Sequence, residues 1–194
     1  MDALTQELIN CIETTNLAQR PDLLDQAQKA FLDYLGAMTA AFDKEGVRSL
    51  ERFLDLSKAS DKALYYGFAS HYLDYDDAQA NLQGHFSTVI YSALLAILDE
   101  EDSWADFLEA YVVGAELEGI FGYLINPSYR LQGWHPTATV GPMGAAAAIG
   151  KLRGLRGEDL ASLLSLAATQ SSGLALQSGS DGKPLHAGLA ARNA

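Results

Sequence analysis

Residues 21–38 read PDLLDQAQKAFLDYLGAM, and their spacing decides the fold class. Leu24, Ala27, Phe31, Leu35 and Met38 recur three or four positions apart. That period lines one stripe of an α-helix, whereas a half-buried strand would alternate every second residue. Pro21 stands where the first turn of a helix tolerates a missing amide proton. Residues 43–46, Asp-Lys-Glu-Gly, break the pattern. Outward from this helix the same period returns. Shorter amphipathic helices are expected over 47–56 and 61–73, and a strongly apolar one over 87–98. Ser103 and Asp106 form a Ser-x-x-Asp start signal for a helix reaching Ile125. That helix carries Gly114, Gly119 and Gly122, each weakening it by about 1 kcal/mol relative to Ala. Close helix contact is the expected compensation. Asn126-Pro127-Ser128 ends it. A helix of small residues follows from Pro136, with Pro142 either a kink or its true start and Gly154 as a cap. Leu160, Leu163, Leu164 and Ala167 mark one more. No run has period two and no repeat recurs. The expectation is an all-α domain with helices in more than one layer.

The chain has 194 residues, 48% hydrophobic and 20% charged, which is the composition of one globular domain rather than a disordered chain. The formal net charge is −12. Phosphate binding needs clustered Lys and Arg, so nucleic acid is not the expected partner. A single cysteine, Cys11, excludes a disulfide framework and a cysteine-ligated metal centre within one chain. The first residues are acidic and polar, without the basic start and apolar stretch of a signal peptide. No apolar run approaches the roughly 18 residues a membrane span requires. The expected compartment is the cytoplasm.

Polar residues that interrupt apolar helices are where chemistry is sought. One stretch is His71-Tyr72-Leu73-Asp74-Tyr75-Asp76-Asp77, followed by His85. Taken alone it reads as a solvated acidic loop, although burial would raise the pKa of one of three crowded acids. A second is Gly133-Trp134-His135-Pro136-Thr137. A histidine just before a helix has its pKa lowered by the helix N-terminus, and the same amides attract carboxylates. The alternative is a structural Trp-His turn. The third, Gly179 to His186, holds Lys183 before Pro184, at the start of a new helix. A lone surface lysine is the alternative there. Asp with His also suits a metal ion, but no two His lie one helical turn apart, and no metal is expected. Gly-x-Gly-x-x-Gly, the P-loop and Gly-x-Ser-x-Gly are all absent.

These stretches, in this order, resemble the MmgE/PrpD family, which includes 2-methylcitrate dehydratase, cis-aconitate decarboxylase and iminodisuccinate epimerase. Phe31 to Gly36 resembles the family's early helix. Leu73-Asp74-Tyr75-Asp76-Asp77 with His85 and Ser87 is similar to its Asp-aromatic-Asp-Asp and His-Pro-Ser segments. Asn126-Pro127-Ser128 and Gly133 to Thr139 resemble its most recognisable signature, and Lys183 to Gly188 its Lys-Pro-x-His-x-Gly motif. The resemblance implies a large all-helical domain with a smaller α/β lid, usually as a homodimer. It places residues 1–194 in the N-terminal part of the helical domain, truncated before the lid. The Ala-rich end, 187–194, reads as a helix just begun, so the chain is expected to stop within the fold. By motif match Asp74, His85, His135 and Lys183 form the catalytic set, and His186 binds substrate. Two residues depart from the pattern. Ala78 replaces a frequent Thr, and Phe86 replaces Pro after the loop histidine. Both are expected to alter the pocket wall near His85.

The family's reactions move a proton, or lose CO₂, at a carbon next to a carboxylate. Such a carbanion needs a positioned base and nearby positive charge. Histidine suits the first role, lysine the second, and aspartate orients the imidazole. The implied function is a cofactor-independent lyase or isomerase, 2-methylcitrate dehydratase-like, acting on a small di- or tricarboxylic acid. No cofactor is expected. A net charge of −12 repels such substrates at long range, so the pocket must be locally positive. The rival reading is a non-catalytic helical module that folds or dimerises without activity.

Overall fold

Small residues set how closely these helices approach, and close approach sets the architecture. The computed structural model describes residues 2–194. Its helices are α1 Ala3–Thr14, α2 Pro21–Ala41, α3 Glu45–Glu51, α4 Ala59–His71, α5 Ser87–Ile97, α6 Trp104–Ile125, α7 Ser128–Leu131, α8 Pro136–Leu152, α9 Gly157–Ala168 and α10 Gly182–Asn193. Among the described residues there is no sheet, and β-pairing is confined to two isolated bridges, Gln79–Gly84 and Trp134–Leu174. The all-α expectation holds.

Helices α4, α5, α8 and α10 pack against one another as an inner group. Helix α2 covers α4 and α5, α6 covers α8, and α9 lies between α8 and α1. This is the expected arrangement in more than one layer. Helix α8 is the most enclosed, because Gly141, Gly144 and Ala145 to Ala148 leave little side chain to hold neighbours away. Gly114 of α6 faces the carbonyl of Gly144, where an added Cβ would lie only 2.6 Å away. Gly122 is likewise pressed against the Leu82 backbone, whereas Gly119 has ordinary space. So two of the three α6 glycines serve close contact. Gly67 of α4 meets Gly188 of α10 in the same way, its added Cβ falling 2.8 Å from the Gly188 Cα.

On the other side of α5 the core is aromatic. Tyr91 stacks on Tyr111 at 4.0 Å between ring centres, and Phe31, Trp104 and Phe107 complete the cluster. Buried hydroxyls are satisfied: Tyr91 donates to the Ala27 carbonyl at 2.6 Å, and the Tyr34 and Ser92 hydroxyls lie 3.0 Å apart. A buried hydroxyl left unpaired would cost about 1–3 kcal/mol.

Local signals behave as expected at several ends. The Ser103 hydroxyl accepts from the Asp106 N–H and caps α6. Proline occupies the first turn of α2 and α8. Gly154 adopts φ +63° after α8, the left-handed conformation a C-cap needs. Of the two alternatives for Pro142, its place is within α8 and not at its start. Other ends differ from the reading. The helix expected over 47–56 ends at Glu51, because Asp55 turns the chain by accepting from the Ser57 N–H and hydroxyl. Helix α1 was not expected. Asp2 caps it through the Thr5 N–H, and only Ile9 and Ile12 are buried, with Leu8 packed beside them, too few residues for a visible stripe. No helix among the described residues is long and apolar enough to cross a membrane.

Gly67→Ala is expected to lower stability by about 1–3 kcal/mol, since backbone atoms, not movable side chains, meet the new methyl. Gly36→Ala, in mid-α2 with nothing within 4 Å of its added Cβ, is expected to raise stability by about 0.5–1 kcal/mol. Chemical denaturation of both variants checks the pair. Equal effects would contradict the close α4–α10 crossing.

Candidate active site

Four helix ends meet at one end of the inner group: the C-terminus of α4 and the N-termini of α5, α8 and α10. Helix α4 finishes at His71, and the chain turns sharply at Asp74, which takes φ +57°. Asp tolerates this left-handed conformation better than most residues. The turn carries Asp76 back beneath His71. The His71 Nδ1 lies 2.9 Å from both Asp76 carboxylate oxygens, and both side chains are fully buried.

His85 enters from the other end of the same loop. Its backbone N–H donates to the Thr137 hydroxyl at 3.0 Å, tying the loop to α8. Its Nδ1 faces the Asp76 carbonyl at 3.2 Å. A carbonyl only accepts, so Nδ1 carries the proton. Nε2 is thereby turned toward Asp74, 3.3 Å from Oδ1. Lys183, in the first turn of α10, closes the group by pairing its ammonium with that same Asp74 oxygen. His135 caps α8 and lies 6.0 Å from His71 and 5.7 Å from His186, ring centre to ring centre. Neither ring nitrogen of His135 has a protein partner.

Electrostatics sort these groups. Burial opposes ionisation of Asp76, yet hydrogen bonds from His71 and His85 outweigh it and bring its pKa down to about 2. His85 is disfavoured as a cation by burial, but Asp76 more than compensates and raises its pKa. Asp74 is partly desolvated, and the Lys183 ammonium still holds its carboxyl below the usual range. His135 goes the other way. Burial first, and the positive neighbours second, lower its pKa to about 3, so it is neutral at pH 7. The direction matches the expectation from a helix N-terminus, but the cause is mainly desolvation. Burial also lowers His186. Of the three crowded acids, Asp77 is the one raised, to about 6, chiefly by burial.

A cavity of about 270 Å³ opens over this cluster, lined among others by Asp74, His85, Arg130, Trp134, His135 and Lys183. All four residues of the expected catalytic set therefore border one space. His186 does not line it and stands behind His135. The expected effect of Phe86 and Ala78 on the pocket wall is corrected. Neither borders the cavity, because Phe86 precedes α5 and turns away to pack beside Tyr111. Ligand atoms of His71, Asp74, Asp76 and His85 lie within 4.8 Å of one another, a spacing that suits a divalent cation. The Lys183 ammonium also pairs with Asp74 there.

Three contributors were missed. Within the acidic stretch, His71 and Asp76 carry no sequence signal of a role. Their pairing spans the end of a helix and leaves no periodic trace. Arg130 had a visible signal: it is the single Lys or Arg between Lys62 and Lys151. Glu118 is a further buried acid, away from the cavity. It is fully enclosed against Gly144, and burial raises its pKa well above the usual range.

Comparison with known proteins places the chain in a family. The family model described as the MmgE/PrpD N-terminal domain matches residues 55–194, which include every residue of the cluster. A human protein named cis-aconitate decarboxylase is 28% identical over 137 residues, covering 68% of this chain and 28% of that protein. The Aspergillus oryzae cis-aconitate decarboxylase-like protein oryM is 31% identical over 159 residues, covering 77% of this chain and 31% of its own. The matched part thus spans less than a third of either relative's length.

The lowered pKa of His135 makes stability pH-dependent. Between its ordinary value of 6.5 and about 3, the unfolded chain binds a proton that the folded chain refuses. Its contribution therefore falls as pH drops through that window, by up to about 1.4 kcal/mol per pH unit. His85, raised, acts oppositely, its stabilisation present below the unfolded pKa and lost as pH rises through the folded one. His135→Gln is expected to flatten the acid-side slope in denaturant titrations between about pH 6 and pH 4. An unchanged slope would place the neutral histidine elsewhere.

Proposed function

Because the chain belongs to the MmgE/PrpD family, we propose that it takes part in lyase or isomerase chemistry on a small di- or tricarboxylic acid, by proton transfer at a carbon next to a carboxylate. The observation that carries this reading is the gathering of Asp74, His85, His135 and Lys183 around one cavity. One relative is named cis-aconitate decarboxylase and the other a cis-aconitate decarboxylase-like protein, which moves cis-aconitate ahead of 2-methylcitrate among candidate substrates. Within this reading, residues 1–194 are the N-terminal part of a larger helical domain, working as a homodimer in the cytoplasm.

His85 is the proton carrier. Its Nδ1–H is held by the Asp76 carbonyl, so Nε2 alone faces the cavity. The raised pKa lets it hold a proton near neutrality and release it as substrate charge changes. Asp74 stabilises its imidazolium and keeps Lys183 close. The ammonium of Lys183 meets a substrate carboxylate or delivers the proton itself. Neutral His135 donates an N–H to the substrate without adding charge. In decarboxylation the bond to the carboxylate carbon breaks, CO₂ leaves, and the electron pair left on carbon takes a proton from His85 or Lys183. In dehydration the same groups remove a proton beside the carboxylate and protonate the leaving hydroxyl.

Incubation of the chain with cis-aconitate, 2-methylcitrate, citrate and iminodisuccinate in heavy water, followed by NMR, tests the reading. Deuterium incorporation or product is expected with one of them, and Lys183→Ala is expected to lose roughly 10²–10⁴-fold of that rate. Exchange that Lys183→Ala leaves unchanged overturns the assignment of the lysine. No exchange with any substrate favours a helical module without activity of its own.

A further inference from the structure

Lys183 and Arg130 both border the cavity, and only Lys183 is matched by an acid. Lys183 and His85 both face Asp74. Arg130, on the short α7, borders the same cavity, yet among the described residues no carboxylate lies within 4.0 Å of its guanidinium. It is held from behind. Its Nη1 donates to the Gln83 carbonyl at 3.1 Å. Gln83 is one of two non-glycine residues with positive φ, at +53°, the other being Asp74. Both strained positions therefore border the cavity, one beside Lys183 and one aiming a carbonyl at Arg130. Backbone held in this sparsely populated region persists where surrounding contacts fix it, commonly at ligand sites.

We infer that Arg130 is a specificity-determining residue that anchors a second carboxylate, so that the site selects polycarboxylates over monocarboxylates. This deepens the reading given under Proposed function and rests on it. A guanidinium has five donors in a planar fork. One is spent on Gln83, and the others remain for a carboxylate in bidentate geometry, which a lysine could not reproduce. Arg130 is the single Lys or Arg in the 88 residues from 63 to 150 of a chain of net charge −12. A carboxylate at Lys183 displaces or shares Asp74, whereas a carboxylate at Arg130 meets no competing acid. The longer ligand thus gains an interaction that the shorter one lacks. The cavity, about 270 Å³, lies at the small end of ligand pockets, which suits a compact polycarboxylate.

The test uses tricarballylate, which has three carboxylates but neither hydroxyl nor double bond, and butyrate, which has one. Both are titrated into the chain and followed by NMR at low ionic strength. Arg130→Ala is expected to weaken tricarballylate about tenfold and leave butyrate within about twofold. Arg130→Gln keeps a donor for Gln83 without the charge and is expected to behave like Arg130→Ala. Arg130→Lys is expected to restore part of the loss. Tricarballylate binding unchanged in Arg130→Ala overturns the inference alone. Equal weakening of both probes overturns it too, since that marks a structural role. Failure of both probes to bind the unaltered chain overturns the functional reading as well.

Discussion

A single carboxylate, that of Asp76, sits out of water between two imidazoles, and the site is arranged around it. An ionised acid at such depth is costly unless it is paired and hydrogen-bonded. His71 supplies the pairing from the last turn of α4, and His85 adds a longer contact at 3.4 Å from across the loop. The carbonyl of the same residue fixes the proton on His85 Nδ1. One loop residue thus sets both the charge and the orientation of the histidine that faces the cavity. Its backbone path in turn requires the reversal at Asp74, whose carboxylate then meets Lys183.

That constraint works only because the helices carrying the other groups come close. Lys183 reaches Asp74 from α10, and α10 lies against α4 through a glycine on each helix. His135 sits at the head of α8, whose run of alanines and glycines lets α6 and α5 enclose it. Enclosure is also what keeps His135 neutral. Packing and electrostatics are one argument here: the small residues bring the helices together, and the resulting dryness separates the pKa values of groups that would be alike in water. Glu118 shows the same effect without function in view, an acid whose pKa burial against α8 pushes up.

Most of the helices were legible because burial on one side imposes a period of 3.6 on the apolar residues, as at Leu24 to Met38. Stop signals were legible where backbone conformation demands a residue type, as at Gly154. Helix α1 escaped because two buried isoleucines are too few to form a stripe. The end of α3 was misjudged because Leu54 and Leu56 continue the apolar pattern while Asp55 turns the chain. The wall position given to Phe86 was wrong for a related reason. A sequence shows that a residue neighbours His85 along the chain, not which side of the helix start it faces.

What the sequence determined by itself was the helical class, the breaks between helices, and the residue types able to move protons beside a carboxylate. Those follow from local periodicity, caps and side-chain chemistry, all carried by neighbours in the chain. The tertiary structure alone decided which histidine faces the cavity with a fixed tautomer, which is neutral, and which stands behind. It also decided that Asp76, not Asp74, is the buried acid, and that Arg130 is left without one. These depend on distances between residues up to 109 positions apart, as for Lys183 and Asp74. They also depend on water excluded by helices that no local stretch describes, because desolvation is a property of the packed whole.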